Sequence, residues 1–416
     1  MTAQNWQNLA IAAVLTFYLI QIGMEVFWRN TCGHLAIDYC TFWSAGQIAN
    51  KYGYARVYDL DLMSQIQRTI FPATSDLSKF AVVPTPYLPV FILLFQPFAL
   101  IDPAAGFWLW TALNGAIYFF YLRFFAQEMA NEPLQTRLLI LLTSSLPVFL
   151  NFLYGQVNVW LAVCIGEFMR ASISDRRFRA GLWLGGFLIK PQSLILIVPV
   201  LLLQRAFRTL AGFASASLLV LGTSFVLMGY DGFATLIRLW LGYATGLPAA
   251  IGPQVMMNWR MIGISLNSAF PSRAAWAITA IGLAATLLAV AYIWRRPLGH
   301  TGFKYGIGLL GTLAATGLVA WHSHVSTSVI LIPPLIYLSQ PTNRLPRGTV
   351  LLWALVPAAM YFAVFILDLL VHQGILTPNA NSLLNFLSGG GAFGLNVYLL
   401  FLAVRCLGNP ATQLAD

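Results

Sequence analysis

Apolar runs close to the length needed to cross a bilayer recur along almost the whole 416-residue chain, and they limit what it can fold into. Hydrocarbon offers no water to bond with, so backbone groups there must be satisfied within the segment, and runs of this length become helices. Length alone would allow two or three domains. Hydrophobic residues make up 59% of the chain and charged residues only 9%, a balance that a water-exposed surface cannot carry. The expected fold is therefore an all-α polytopic membrane protein, one integral membrane domain over 1–416 with about 11–13 transmembrane segments.

Spans are expected at about 9–28, 104–124, 136–153, 156–174, 209–229, 272–294, 303–321, 324–340, 348–371 and 390–407. The first has no basic leader and no small-residue cleavage site before Trp28-Arg29, so it is expected to be a retained anchor. Residues 85–101 open on Pro84-Thr85-Pro86-Tyr87-Leu88-Pro89 and are short for a crossing. Between 180 and 204, two short apolar pieces meet at Lys190-Pro191-Gln192. Proline cannot continue helical hydrogen bonds and lysine is costly in hydrocarbon, so two half-length helices meeting at a polar vertex are expected.

The formal charge of +10 does not point to nucleic acid, because the arginines sit in short loops between apolar runs. Basic residues cluster at Arg123 and Arg137, at Arg176, Arg177 and Arg179, at Arg205 and Arg208, at Arg295, Arg296 and Lys304, at Arg344 and Arg347, and at Arg405. All fall on one side if 85–101 dips into the membrane and returns, which makes that segment re-entrant and both termini cytoplasmic. The other face then collects the 29–84 loop, Gly155-Gln156-Val157-Asn158, the Lys190 vertex, the 230–271 loop and Trp321-His322-Ser323-His324. Leu62, Ile66 and Ile70, and Phe233, Leu236, Ile237, Trp240 and Leu241, follow helical spacing and predict helices lying on the membrane surface in the two loops.

Asp38 can be a solvated loop acid, a partner for His34 four residues earlier, or a general base at the membrane boundary. Asp59 and Asp61 begin an expected helix, where acids stabilise the N-terminus, and Asp76 is expected to be solvated. Lys190 needs a buried anion or a route to water; a phosphate suits its compact charge and three donors. Arg260, in Asn258-Trp259-Arg260, can hold a phosphate bidentately. His322 and His324 diverge if helical and share a face only if extended, so no shared metal is expected; either can donate to a phosphate or sugar oxygen. Glu167 with Arg170 has the spacing of a helical ion pair, and Asp368 near a span end is expected to be structural or interfacial. Cys164 and Cys406 are expected to be packing residues, whereas Cys32 and Cys40 bracket Asp38 and can bond if that face is oxidising.

Asp38 with Phe42-Trp43-Ser44-Ala45-Gly46, then Tyr58-Asp59, resembles the opening signature of the bacterial polyprenyl-phosphate-mannose-dependent mannosyltransferases, glycosyltransferase family 87, of the membrane GT-C fold. Gly155-Gln156-Val157-Asn158 and Lys190-Pro191-Gln192 resemble its central motifs, and the resemblance covers about 36 to 335. Two departures stand out: Val325-Ser326-Thr327 follows His324 in place of a tyrosine–acid pair, and the double-proline segment is altered to Tyr87-Leu88-Pro89. The resemblance implies an inverting sugar transfer from a polyprenyl-phosphate carrier to a lipid or glycan acceptor, on the extracytoplasmic face of a bacterial plasma membrane. The family's base is carried onto Asp38. The expected substrate-binding set is Lys190, Gln192, Arg260, His322, His324, Gln156, Asn158, Trp43 and Tyr87, with no metal or cofactor. The rival is a transporter or flippase of a lipid-linked sugar, which predicts internal repeats and mid-membrane ionisable groups.

Overall fold

The computed structural model describes residues 3–28, 31–33, 36–71, 82–129, 136–245, 255–269, 273–340, 345–375 and 381–408, and every regular element among them is helical. The protein is an all-α polytopic membrane protein. Helix α1 (Ala3–Trp28) leads to α2 (Ile37–Tyr52) and α3 (Leu60–Ile70), which occupy the first polar interval. Asp59 caps α3, its Oδ1 accepting from the Leu62 amide at 3.1 Å, so this acid is used in starting the helix. His34 and Asp76 lie outside the described residues.

Residues 85–101 hold no continuous helix. An extended Val82–Leu88 strap is followed by α4 (Pro89–Ile92), turns, and a 3-10 turn at Phe98–Leu100. The strap's polar groups bond to side chains from several elements: Gln67 to both polar groups of Val83, Trp240 Nε1 to the Pro86 carbonyl, and Tyr58 OH to the Tyr87 carbonyl. After α5 (Pro103–Met129), the expected 136–153 span is divided into α6 (Thr136–Thr143) and α7 (Leu146–Leu153). Ser144 and Ser145 hydroxyls bond back to the Ile140 and Leu142 carbonyls, and Pro147 then prevents helix continuation.

Helix α8 (Asn158–Ile173) leads to α9 (Arg177–Leu184) and α10 (Ile197–Leu203), with 3-10 turns between them that meet at Lys190, whose backbone is non-helical (φ −138°, ψ 74°). Helix α11 (Phe207–Thr245) bends at Gly229 (φ 65°), and its second limb buries Leu236 and Leu239. That limb and α3 were expected on the membrane surface. Instead their apolar faces pack with Ile48, Val57, Tyr58, Met63 and Leu88 in a shared cluster, because α2 and the strap offer them a protein surface. The first limb faces outward, with Leu218, Leu219 and Val226 bare, as a lipid-facing helix requires.

The second half contains α12 (Trp259–Ala269), α13 (Arg273–Ile293), α14 (Gly302–Val319), α15 (Ile332–Leu338), α16 (Arg347–His372) and α17 (Asn381–Gly408). Five described helices are long and apolar enough to cross a membrane: Phe207–Gly242, Arg273–Ile293, Gly302–Val319, Gly348–Val371 and Gly389–Gly408. The expected 324–340 span is a 3-10 stretch, Val325–Leu331, joined to the short α15. It is buried throughout, beside α7, α8 and α14. Protein can satisfy its irregular backbone there, which lipid could not.

Candidate active site

The first turn of α2 carries Asp38 and docks, backbone to backbone, on the end of α7. The Ala36 amide donates to the Leu153 carbonyl at 2.9 Å, and the Tyr39 amide to the Tyr154 carbonyl at 3.0 Å. Gly155 makes this approach possible. Its φ of 68° disfavours other residues, and a Cβ there would lie 2.4 Å from the Tyr39 Cβ. Gly155→Ala is therefore expected to destabilise the fold by about 1–3 kcal/mol and to move Gln156, read as a lower melting temperature and a loss of transfer.

The docking sets Gln156 between two charges. Its Nε2 donates to Asp38 Oδ2 at 2.5 Å, and its Oε1 accepts from Lys190 Nζ at 2.7 Å. The amide orientation is fixed by chemistry, since carboxylate only accepts and ammonium only donates. Lys190 Nζ also donates to Asn158 Oδ1 at 2.8 Å, and the Asn158 amide bonds to Asn151 Oδ1 at 3.0 Å. Ammonium has three donors, so one remains beyond these two bonds. Asp38 Oδ1 carries no bond to the described residues.

Burial raises the Asp38 pKa above the usual carboxylate value, opposed by the Lys190 charge and the Gln156 bond. Burial also pulls Lys190 down to about 8, opposed by the Asp38 charge. Each ion is costly here and each is eased by the other across one amide.

On the far side of Lys190, residues 320–324 are not helical, and His324 is extended (φ −101°, ψ 160°). The alternating histidines therefore share a face, with Nε2 to Nε2 at 3.1 Å. Burial first, then the charges of Lys190 and Arg260, hold His322 down at about 4; His324 is also lowered, by burial, His322 and Lys190. Two neutral rings at this distance share one N–H, one nitrogen donating and the other accepting. The Arg260 guanidinium lies over the Trp321 ring, 4.1 Å from its centroid. Gln192 reaches the same loop, its Nε2 3.5 Å from the His322 carbonyl oxygen, and lines a cavity with His322.

The structure thus brings together Asp38, Gln156, Asn158, Lys190, Gln192, His322, His324 and Arg260. Tyr87 sits at the edge, packed edge-on to Phe42 (5.0 Å) in a pocket with Val157 and Ile189, the neighbours of Gln156 and Lys190. Trp43 stands apart: it is buried, and its Nε1 donates to the Ile101 carbonyl at 3.0 Å, tying α2 to the end of the 85–101 segment. Its spacing from Asp38 turns it away from the site, since residues five apart on a helix do not share a face.

A family model, Glycosyltransferase family 87, matches residues 85–320, more than half of the chain. The chain belongs to glycosyltransferase family 87. The matched region holds Tyr87, Gln156, Asn158, Lys190, Gln192 and Arg260 of this family member, while Asp38 and Trp43 precede it and His322 and His324 follow it. A stretch of 104 residues is 32% identical to "Probable potassium transport system protein Kup" of Nitrobacter winogradskyi, which covers 25% of this chain and 15% of that protein. No solved structure matches the chain.

Asn258 is a site residue that sequence reasoning missed. It is buried, its Nδ2 donates to the Ala320 and Trp321 carbonyls at 2.8 and 3.1 Å, and its Oδ1 accepts from the Met261 amide at 3.0 Å. The adjacent Met257 amide bonds to the Ser323 carbonyl at 3.0 Å. Asn258 therefore ties Arg260 to the histidine loop. Its place beside Trp259-Arg260 was the only signal. Glu167 forms the expected pair with Arg170 (2.8 Å), joined by Arg179 at 3.9 Å, and has the bonding of a structural ion cluster.

Proposed function

We propose that the protein is an inverting glycosyltransferase that moves a sugar, mannose by family expectation, from a polyprenyl-phosphate carrier to a lipid or glycan acceptor. The observation that carries this is the Lys190–Gln156–Asp38 chain. One half-buried carboxylate faces Lys190 across the Gln156 amide, and the neutral histidine pair lies beside both Lys190 and Arg260. Such a site is short of negative charge and suits an anionic ligand.

In the reaction, Asp38 Oδ1 takes the proton of the acceptor hydroxyl as that oxygen attacks the anomeric carbon. The bond from that carbon to the phosphate oxygen breaks on the opposite face and the electron pair leaves with the polyprenyl phosphate, so the configuration inverts. Lys190 and Arg260 meet the developing phosphate charge, and one histidine of the pair donates to a phosphate or sugar oxygen. Two cations suffice for a monophosphate leaving group, and the reading invokes no metal. The site is assigned to the extracytoplasmic face of a bacterial plasma membrane, with both termini cytoplasmic, on the one-sided arginine distribution.

Purified protein in detergent, given radiolabelled polyprenyl-phosphate mannose and membrane lipid or glycan acceptors, is expected to form labelled product. Failure with every acceptor and donor sugar would sink the reading. A transport reading rests on the 104-residue likeness alone; it predicts flux across proteoliposomes without product.

The pH–rate profile is expected to be bell-shaped. Activity falls toward acid as Asp38 is protonated, at a pH above the ordinary carboxylate range because burial raises this group. It falls toward alkali near pH 8 as Lys190 loses its charge. A profile flat from pH 5 to 9 would contradict the roles given to both.

A further inference from the structure

We propose that the Cys32–Cys40 disulfide is a positioning device for Asp38, so that sugar transfer depends on oxidation of this pair. The bond is present, spans eight residues, and both cysteines are buried. Its span includes two described residues before Asp38 whose backbone is strained. Cys32 (φ 70°) and Ala36 (φ 63°) both adopt the left-handed conformation, which residues with a Cβ disfavour. Such conformations persist only where the surroundings over-determine them. Here three ties do so: the Ala36 amide to Leu153, the Tyr39 amide to Tyr154, and the disulfide at Cys40. They act at positions two before, one after and two after Asp38, on either side of the carboxylate that must meet Gln156 at 2.5 Å.

Without the sulfur bond, the Cys32 turn can relax toward ordinary backbone, and the first turn of α2 keeps its two amide contacts and the packing of the Tyr39 ring on Phe95 and Phe107 but loses its covalent tie. Asp38 then loses its fixed place against Gln156, and a base displaced by about 1 Å is costly to turnover. The bond forms by thiol–disulfide exchange with an oxidised dithiol catalyst or small-molecule disulfide. One cysteine thiolate attacks the oxidant's disulfide to give a mixed disulfide, and its partner thiolate then attacks the protein sulfur of that bond, displacing the oxidant's thiolate. The new Sγ–Sγ bond forms as the oxidant leaves with two electrons and two protons as a pair of thiols. This requires an oxidising compartment, which agrees with an outward-facing site. The proposal rests on Asp38 as the base, and its test separates the two.

Full-length protein purified from membranes without reductant is denatured and alkylated with a maleimide. Two labelled thiols are expected, Cys164 and Cys406, and four after reduction; four before reduction would overturn the proposal. The Cys32→Ser/Cys40→Ser variant, and wild-type protein treated with a phosphine reductant, are then compared with oxidised enzyme. Expected are a kcat lower by about tenfold to a hundredfold, a donor KM within about twofold, and faster amide hydrogen exchange over 36–42. Cys164→Ser/Cys406→Ser retains oxidised activity. Unchanged kcat in both reduced forms would overturn the proposal. If even oxidised enzyme makes no product, the transferase reading fails, and exchange over 36–42 still decides whether the bond fixes the Asp38 turn.

Discussion

Asp38→Asn is expected to lower transfer by about a thousandfold or more while the protein still folds and binds donor. The replacement keeps the shape of the side chain and one oxygen for the Gln156 bond at Oδ2, but no group at this position can then accept the proton of the acceptor hydroxyl. Positioned general bases contribute about 10²–10⁴ in rate, and no other acid stands in the site among the described residues. The measurement is kcat with labelled donor, beside a thermal-shift titration with polyprenyl phosphate. Retained binding with lost turnover is the expected pair of results. An Asp38→Asn enzyme with wild-type kcat would remove Asp38 from the mechanism.

The second large effect is expected from Lys190→Met, which keeps the length of the side chain and removes its charge. It leaves Gln156 Oε1 and Asn158 Oδ1 without their donor and Asp38 without its opposing charge. Removing one partner of a buried pair costs about 3–5 kcal/mol, and transfer is expected to fall at least a hundredfold with the loss of phosphate stabilisation. The sign of the pH effect follows from the causes of the Asp38 shift. Lys190 lowers this pKa, so its removal lets burial raise Asp38 further. A group whose folded pKa lies above its unfolded value stabilises the fold below the unfolded pKa and loses that contribution as pH rises through the folded one. Lys190→Met should thus melt at increasingly lower temperature than wild type as pH rises above the ordinary carboxylate range, about 4. Asp38→Asn/Lys190→Met, with no charge left to compensate, is expected to recover much of this stability and none of the activity. Equal pH dependence in wild type and Lys190→Met would show that the two groups do not interact.

The residue types named from sequence were largely those the fold brings together, because each is anomalous where it stands. A lysine beside proline between apolar runs, an acid heading a buried helix, and paired amides after a glycine all violate membrane economy unless they meet. The sequence leaves the geometry of the histidine pair open, since nothing local to Trp321-His322-Ser323-His324 says whether the helix has ended before it. The end is set by Asn258, some sixty residues earlier, which binds the Ala320 and Trp321 carbonyls. Trp43 is a different case: its motif is suggestive, but its indole N–H donates to the Ile101 carbonyl, a partner that no local sequence feature names.

What the sequence determined by itself is the class of solvent and the class of structure: continuous apolar runs of this length satisfy their backbone in hydrocarbon as helices. The tertiary structure alone decided the partners. Gln156 could have bonded to water, and Cys32 and Cys40 could have stayed thiols. They do otherwise because the close fit at Gly155 sets the α2 turn against the end of α7, where a carboxylate and a lysine can share one amide. Contacts across a hundred residues depend on packing, which periodicity does not encode.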